Sequence, residues 1–129
     1  MMFPVLKHFS SGEFNHPELM LVPFLYWLDL VRDRAKVAMV ITDDARLAGD
    51  VPSGGSATSL HYRGRAVDVR SRNWSSSDKW RVAEAVMFYS NQAPGKIELE
   101  LVYDADGDKH WHIGVDELAK SHQLLESDD

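Results

Sequence analysis

No cysteine occurs among the 129 residues. That excludes a disulfide framework, a thiolate zinc finger, an iron–sulfur cluster and a cysteine nucleophile. Any metal site must therefore be built from His, Asp or Glu. Positive charge is also scarce: 14 Lys and Arg stand against 20 Asp and Glu, a formal net charge of −6 with His neutral. A sequence-independent grip on nucleic-acid phosphates is not expected from such a chain. No apolar run approaches the roughly 18 residues needed to cross a bilayer. Met1 to Lys7 carries no basic leader, so a chain that is cytoplasmic as synthesised, without membrane partners, is expected.

The content that is present points to a folded domain. Hydrophobic residues make up 44% and charged residues 26%, near the globular average and too apolar for a disordered chain. The length suits one domain, 1–129, which buries roughly two-thirds of the surface its unfolded chain exposes. A monomer is expected, and neither internal repeats nor low-complexity stretches interrupt it.

Punctuation and periodicity divide the chain. Ser10 to Pro17 has turn chemistry, with Pro17 suited to a first helical turn. Leu21, Phe24, Leu25, Leu28 and Val31 then recur at helical spacing up to about Ala35, with Pro23 expected to kink or restart the helix. Val37 to Thr42 is short, apolar and β-branched, the pattern of a buried strand. Asp43 to Leu60, rich in Gly, Ser and Thr, reads as a long loop, of a length usually functional or disordered. Ala66 to Arg70 alternates as a strand. Ser75 to Asp78 offers a helix N-cap, and Trp80, Ala83, Val86, Met87 and Ser90 trace a helical stripe up to about Asn91. Pro94 and Gly95 break the chain before a strand from Ile97 to Tyr103. An acidic turn, Asp104 to Asp108, leads into a last strand, His110 to Val115, after which Asp116 is placed to cap a short helix. The fold class is α+β, with a small, mainly antiparallel sheet and helices packed on one side.

Strand alternation places the chemistry. In HWHIGV, Trp111, Ile113 and Val115 share one face, so a core packed there leaves His110 and His112 together on the other. In AVDVR the same alternation sets Asp68 opposite Val67 and Val69, with His61 seven residues earlier across a turn permitted by Gly64. Two imidazoles and a carboxylate, His61, Asp68 and His112, are a suitable three-ligand set for catalytic zinc, which keeps a further position for solvent. Zn2+ is the expected cofactor. A lone H-x-H is a common surface pattern; the whole string SLHYRGRAVD followed about 40 residues later by HWH is a far more restrictive one. Asp104, Asp106 and Asp108 alternate like the start of a calcium loop, but Lys109 and Val115 stand where Gly and Glu are required. Glu98 and Glu100 read as solvated strand residues, and Trp74, Trp80 and Trp111 as packing.

These residues resemble a family. Ser59, His61, Gly64, Ala66 and Asp68 fit S-x-H-x-x-G-x-A-x-D, and His110 and His112 fit the H-x-H of zinc-dependent M15-type peptidases. That group includes D-alanyl-D-alanine carboxypeptidases and phage L-alanyl-D-glutamate endopeptidases, and the hedgehog signalling domain shares its fold. The resemblance implies zinc ligation by His61, Asp68 and His112, with His110 a transition-state or supporting group. HFSSGEF (His8 to Phe14) and VITDDAR (Val40 to Arg46) extend it over roughly residues 8–118. By the same resemblance Arg46 would grip a substrate carboxylate, a role suited to its bidentate fork, and Ser59 would order the turn before His61 beside the substrate.

The chain departs from the pattern in two places. Asp43, Asp44 and Ala45 replace a Ser-Gly-Tyr turn, which removes a substrate-binding tyrosine and brings two negative charges near the expected carboxylate grip. Lys109 occupies the position where relatives carry an acidic general base, leaving Asp108, or alternatively Asp106, for that role. The implied function is hydrolysis of a peptide bond in peptidoglycan stem peptides, in the manner of an endolysin or a DD-carboxypeptidase, acting on the cell wall if the chain is a phage lysin. The alternative is a catalytically idle zinc-binding phage structural or assembly module.

Overall fold

The computed structural model describes residues 3–45, 60–105 and 107–116. Two α-helices and four strands make up its regular core: α1 (Val22–Ala35), β1 (Ile41–Asp43), β2 (Ala66–Arg70), α2 (Ser76–Phe88), β3 (Lys96–Asp104) and β4 (Gly107–Asp116). The strands form one antiparallel sheet in the order β1-β2-β4-β3. This is the expected α+β arrangement. No helix among the described residues is long and apolar enough to cross a membrane.

Local chemistry explains both helices. Pro23 lies in the first turn of α1, where a missing N–H costs nothing, so the proline starts the helix and does not kink it. Pro17 opens a separate 3-10 turn, Pro17–Leu19. Arg32 and Arg34 sit in the last turn of α1, and Lys36 closes it in the left-handed region at φ 55°, where the basic groups complement the helix dipole. At α2 the Ser75 hydroxyl accepts from the Asp78 N–H while the Asp78 carboxylate accepts from the Ser75 N–H, a reciprocal capping box.

The helices cover one face of the sheet. Phe24, Leu25, Leu28 and Val31 of α1 and Val82, Ala85 and Val86 of α2 join Val67, Val69, Trp111, Ile113 and Val115 in one apolar core. Trp27, absent from the expected stripe, is also buried, and its indole N–H donates to the Tyr89 carbonyl at 2.9 Å. The stripe expected on α2 is displaced by one position. Trp80 and Met87 are 68% and 65% exposed, whereas Val82, Ala85 and Val86 point inward with Tyr89 packed beside them. Val82, Ala85, Val86 and Tyr89 follow the i, i+3, i+4, i+7 pattern of a buried face, and the larger aromatic at position 80 drew the reading off it.

The segment Val37 to Thr42 also differs from its expected form. Only Ile41–Asp43 is strand, at the sheet edge with a register shift between Ile41 and Asp43. Val37 and Met39 are buried while Val40 is half-exposed. One face of this segment meets the core and the other meets solvent, unlike a strand covered on both sides. The loop after Ala45, through Ser59, and the expected helix after Asp116 lie outside the described residues.

Candidate metal centre

Antiparallel pairing brings the two halves of the sequence motif together. In the β2–β4 register Asp68 faces His112 and Arg70 faces His110. Their neighbours Val67, Val69, Trp111 and Ile113 are buried in the core, so Asp68, His110 and His112 lie on the face turned away from the helices. His61 reaches the same point from a 3-10 turn, Leu60–Arg63, immediately before β2.

That turn depends on Gly64. Its φ is 65°, and a Cβ built there would collide with the backbone carbonyl of Leu19. Gly64 N–H donates to the His61 carbonyl at 3.2 Å, and the Gly64 carbonyl accepts from Leu21 N–H at 2.9 Å. The glycine thus both reverses the chain below His61 and ties the turn to the start of α1.

Three ligand-type atoms converge. One atom each from His61, Asp68 and His112 can be chosen so that all lie within 4.8 Å of one another, a group that can hold a metal ion. His61 Nε2 is 3.3 Å and His112 Nδ1 is 3.2 Å from Asp68 Oδ1. The two imidazole rings meet edge to face with centroids 5.1 Å apart. All three residues are buried, at 2%, 8% and 8% exposure for His61, Asp68 and His112, so their polar atoms must find partners within the protein or in a bound ion.

The hydrogen bonds on the far side of each ring decide what the near side offers. His61 Nδ1 lies 2.6 Å from the Asp44 backbone carbonyl; a carbonyl only accepts, so Nδ1 carries the proton. His112 Nε2 lies 2.7 Å from Glu98 Oε1, and the imidazole N–H donates to this carboxylate. In the neutral tautomers fixed by these bonds, His61 Nε2 and His112 Nδ1 present lone pairs toward the Asp68 carboxylate. Lone pairs facing lone pairs repel. Either extra protons or one cation must sit among them, and the donor set, two imidazoles and a carboxylate, matches the ligands zinc and similar divalent ions take. Outer-nitrogen bonds to a carbonyl and a carboxylate are the usual support for metal-ligating histidines.

Without a cation the site responds with protons. Burial works to raise the Asp68 carboxyl, but hydrogen bonds from His112 and His61 outweigh it and hold the group well below the usual carboxylate range. Burial works to lower His112, yet the bond to Asp68 and the charges of Asp68 and Glu98 raise it above the ordinary imidazole value.

His110 stands beside this group without joining it. Its Nε2 is 3.5 Å from the other carboxylate oxygen, Asp68 Oδ2. Thr42 braces the strand beneath, its hydroxyl donating to the Asp68 carbonyl at 3.3 Å. Of the remaining expected residues, Arg46, Ser59 and Asp106 lie outside the described residues. Asp108 is placed through its backbone alone, in β4 opposite Tyr103.

Two residues at the site were read otherwise in the sequence. Glu98 was expected to be solvated; its side chain is 48% exposed, but it is the partner of His112. Antiparallel pairing of β3 with β4 sets Glu98 opposite Gly114, two residues from His112 on β4 and on the same face of the sheet. Asp44 was expected to add charge near a substrate grip. It is fully buried, with Oδ2 accepting from His16 N–H at 3.0 Å, and its backbone carbonyl orients His61. The signal for Glu98 was the sign and parity of Glu98 and Glu100 on a strand next to HWH; Asp44 acts through its backbone, which no residue type announces.

Compared with known proteins, the chain matches no family model, no curated sequence and no solved structure.

Proposed function

We propose that this chain is a zinc-dependent hydrolase that cleaves a peptide bond in bacterial peptidoglycan stem peptides, in the manner of an endolysin or DD-carboxypeptidase. The observation that carries the reading is the convergence of His61, Asp68 and His112 with both outer imidazole nitrogens already engaged. Three protein donors leave zinc one position short of its usual four, which is how catalytic sites differ from closed structural ones. Zinc bound there supplies a Lewis acid and an acidified water at neutral pH.

The chain's own residues take the other roles. Asp44 and Glu98 hold the two imidazoles in the ligating tautomer. His110, whose Nε2 lies 3.5 Å from Asp68 Oδ2, donates in this reading a hydrogen bond to the oxyanion that develops on a cleaved carbonyl. Asp108, or Asp106 in its place, accepts a proton, and Arg46 holds a substrate carboxylate. The resemblance to M15-type peptidases in S-x-H-x-x-G-x-A-x-D and H-x-H supplies the substrate class.

Lys109 favours a second reading, an idle zinc-binding phage structural or assembly module. It replaces the expected acid and is exposed. Digestion of purified muropeptides by the zinc-supplemented chain, read by mass spectrometry, separates the two. New amino termini that disappear in an Asp106→Ala, Asp108→Ala double variant support the peptidase. Intact muropeptides after long incubation, with stoichiometric zinc in the protein, leave only the binding module.

A further inference from the structure

Beyond the metal cluster, the sheet carries a concentration of positive charge that the metal chemistry does not use. Where β2 and β4 pair Arg70 with His110, a cleft of about 430 Å3 opens, lined by Thr42, Arg70, Arg72, Asn73, Lys109 and His110. A second cleft of about 330 Å3 shares Arg70 and Asn73 with it and extends along Val37, Val40 and Trp74 to Lys36. Arg70, Arg72 and Lys109 are all exposed. The side chains of Arg70 and Lys109 form no hydrogen bond or ion pair among the described residues.

Arg70 and Lys109 bring two cations without a partner among the described residues into one concavity, with Arg72, which has a partner of its own, lining it beside them, although the chain as a whole is acidic at −6. Such a grouping focuses a positive potential inside the cleft that the protein's average charge would not produce. Its donors suit an oxyanion: an Arg fork gives paired N–H groups, Lys109 a point charge, and the Asn73 amide a neutral donor. The volume admits a carboxylate or phosphate together with the atoms that carry it. The position couples the cleft to the metal cluster, because His110 belongs to its wall and lies 3.5 Å from Asp68 Oδ2.

We propose that the Arg70–Arg72–Lys109 cleft is the subsite for an anionic group, a carboxylate or phosphate oxyanion, of the molecule processed at the metal centre; its substrate role rests on the reading given above. The subsite is built from the end of β2, the turn after it and the start of β4. The second cleft, where Val37, Val40 and Trp74 stand beside Lys36 and Asp78, accommodates the rest of an extended ligand bearing that charge.

The test uses the 15N-labelled full chain titrated with sodium phosphate at constant ionic strength, with chloride as the balancing anion, with and without EDTA. Saturable amide shifts are expected at residues 70–73 and 109–110. R70E and K109E should each weaken the response at least tenfold, while K96E, an equal charge change at an exposed position on β3, leaves it intact. R70Q and K109Q provide milder versions should either reversal disturb folding. An unsaturable response, or one equal in R70E, K109E and K96E, overturns the subsite. Metal content measured on the same samples by elemental analysis tells the two readings apart. A phosphate response without metal uptake supports the anion site and refutes the metal reading, whereas metal uptake without a phosphate response refutes the anion site alone.

Discussion

The two faces of one small sheet are held by different physics. On the helix side Val67, Val69, Trp111, Ile113 and Val115 are buried against α1 and α2, and each contributes through area removed from water and close packing. On the opposite side Asp68 and His112 are also buried, yet what they gain depends on which proton or ion lies among them. Adjacent residues of β4 show the contrast most sharply: Ile113 is fully buried in hydrocarbon, and His112, one position earlier, is pinned between Asp68 and Glu98. The apolar face makes the domain; the polar face spends part of that stability on holding a site in place.

The largest effect should come from the apolar side. Ile113→Ala deletes fully buried volume at the sheet centre and should cost about 3–4 kcal/mol, seen as a lower urea midpoint, while metal stoichiometry in the folded fraction stays unchanged. If that variant loses metal but keeps its midpoint, the division between the faces is wrong. Gly64→Ala comes next, because it forces both a left-handed conformation and a collision with the Leu19 carbonyl. A loss of about 2–3 kcal/mol is expected, with weaker metal binding as well, since His61 rides on that turn.

Glu98→Ala should do the reverse of Ile113→Ala. It removes the acceptor for His112 Nε2, and loss of such a supporting partner lowers metal affinity about 10- to 100-fold, or about 1.4–2.7 kcal/mol. The midpoint of the metal-free chain should barely move, because Glu98 is half-exposed. Glu98→Gln keeps an acceptor oxygen and should recover part of the affinity, as calorimetry with zinc would show.

The smallest effect is a pH dependence that changes sign with metal. In the metal-free chain the raised His112 contributes stability that is full below its ordinary value of 6.5 and is lost as pH rises through its raised value. The depressed Asp68 contributes above its ordinary 3.8 and loses this as pH falls through its lowered value. The pair therefore favours the metal-free fold between those ordinary values and less so above them. Zinc must displace imidazole protons, so the stabilisation produced by a fixed zinc concentration should grow over the same rise in pH. Thermal midpoints at pH 6 and pH 8, with and without zinc, check both signs.

Much of this was legible in the sequence because strand alternation has a period of two and no freedom. Once Trp111, Ile113 and Val115 were assigned to a core, His110 and His112 had to share the other face, and Asp68 followed in the same way from Val67 and Val69. Helix faces were less secure: a 100° turn per residue allows a neighbouring stripe to look equally apolar, which is how Trp80 and Met87 displaced Val82 and Ala85. The supports of the site were the least legible. Glu98 reaches His112 only through the β3–β4 register, and Asp44 contributes a main-chain oxygen, so both required the fold before their roles existed.

The most direct test is zinc uptake by the purified chain and by Asp68→Asn, read by isothermal titration and elemental analysis with circular dichroism to confirm folding. One ion per wild-type chain, with affinity at least about 100-fold weaker in the folded variant, is the predicted result. A wild-type chain that stays metal-free in excess zinc, or a variant that binds zinc as tightly as the wild type, would contradict it.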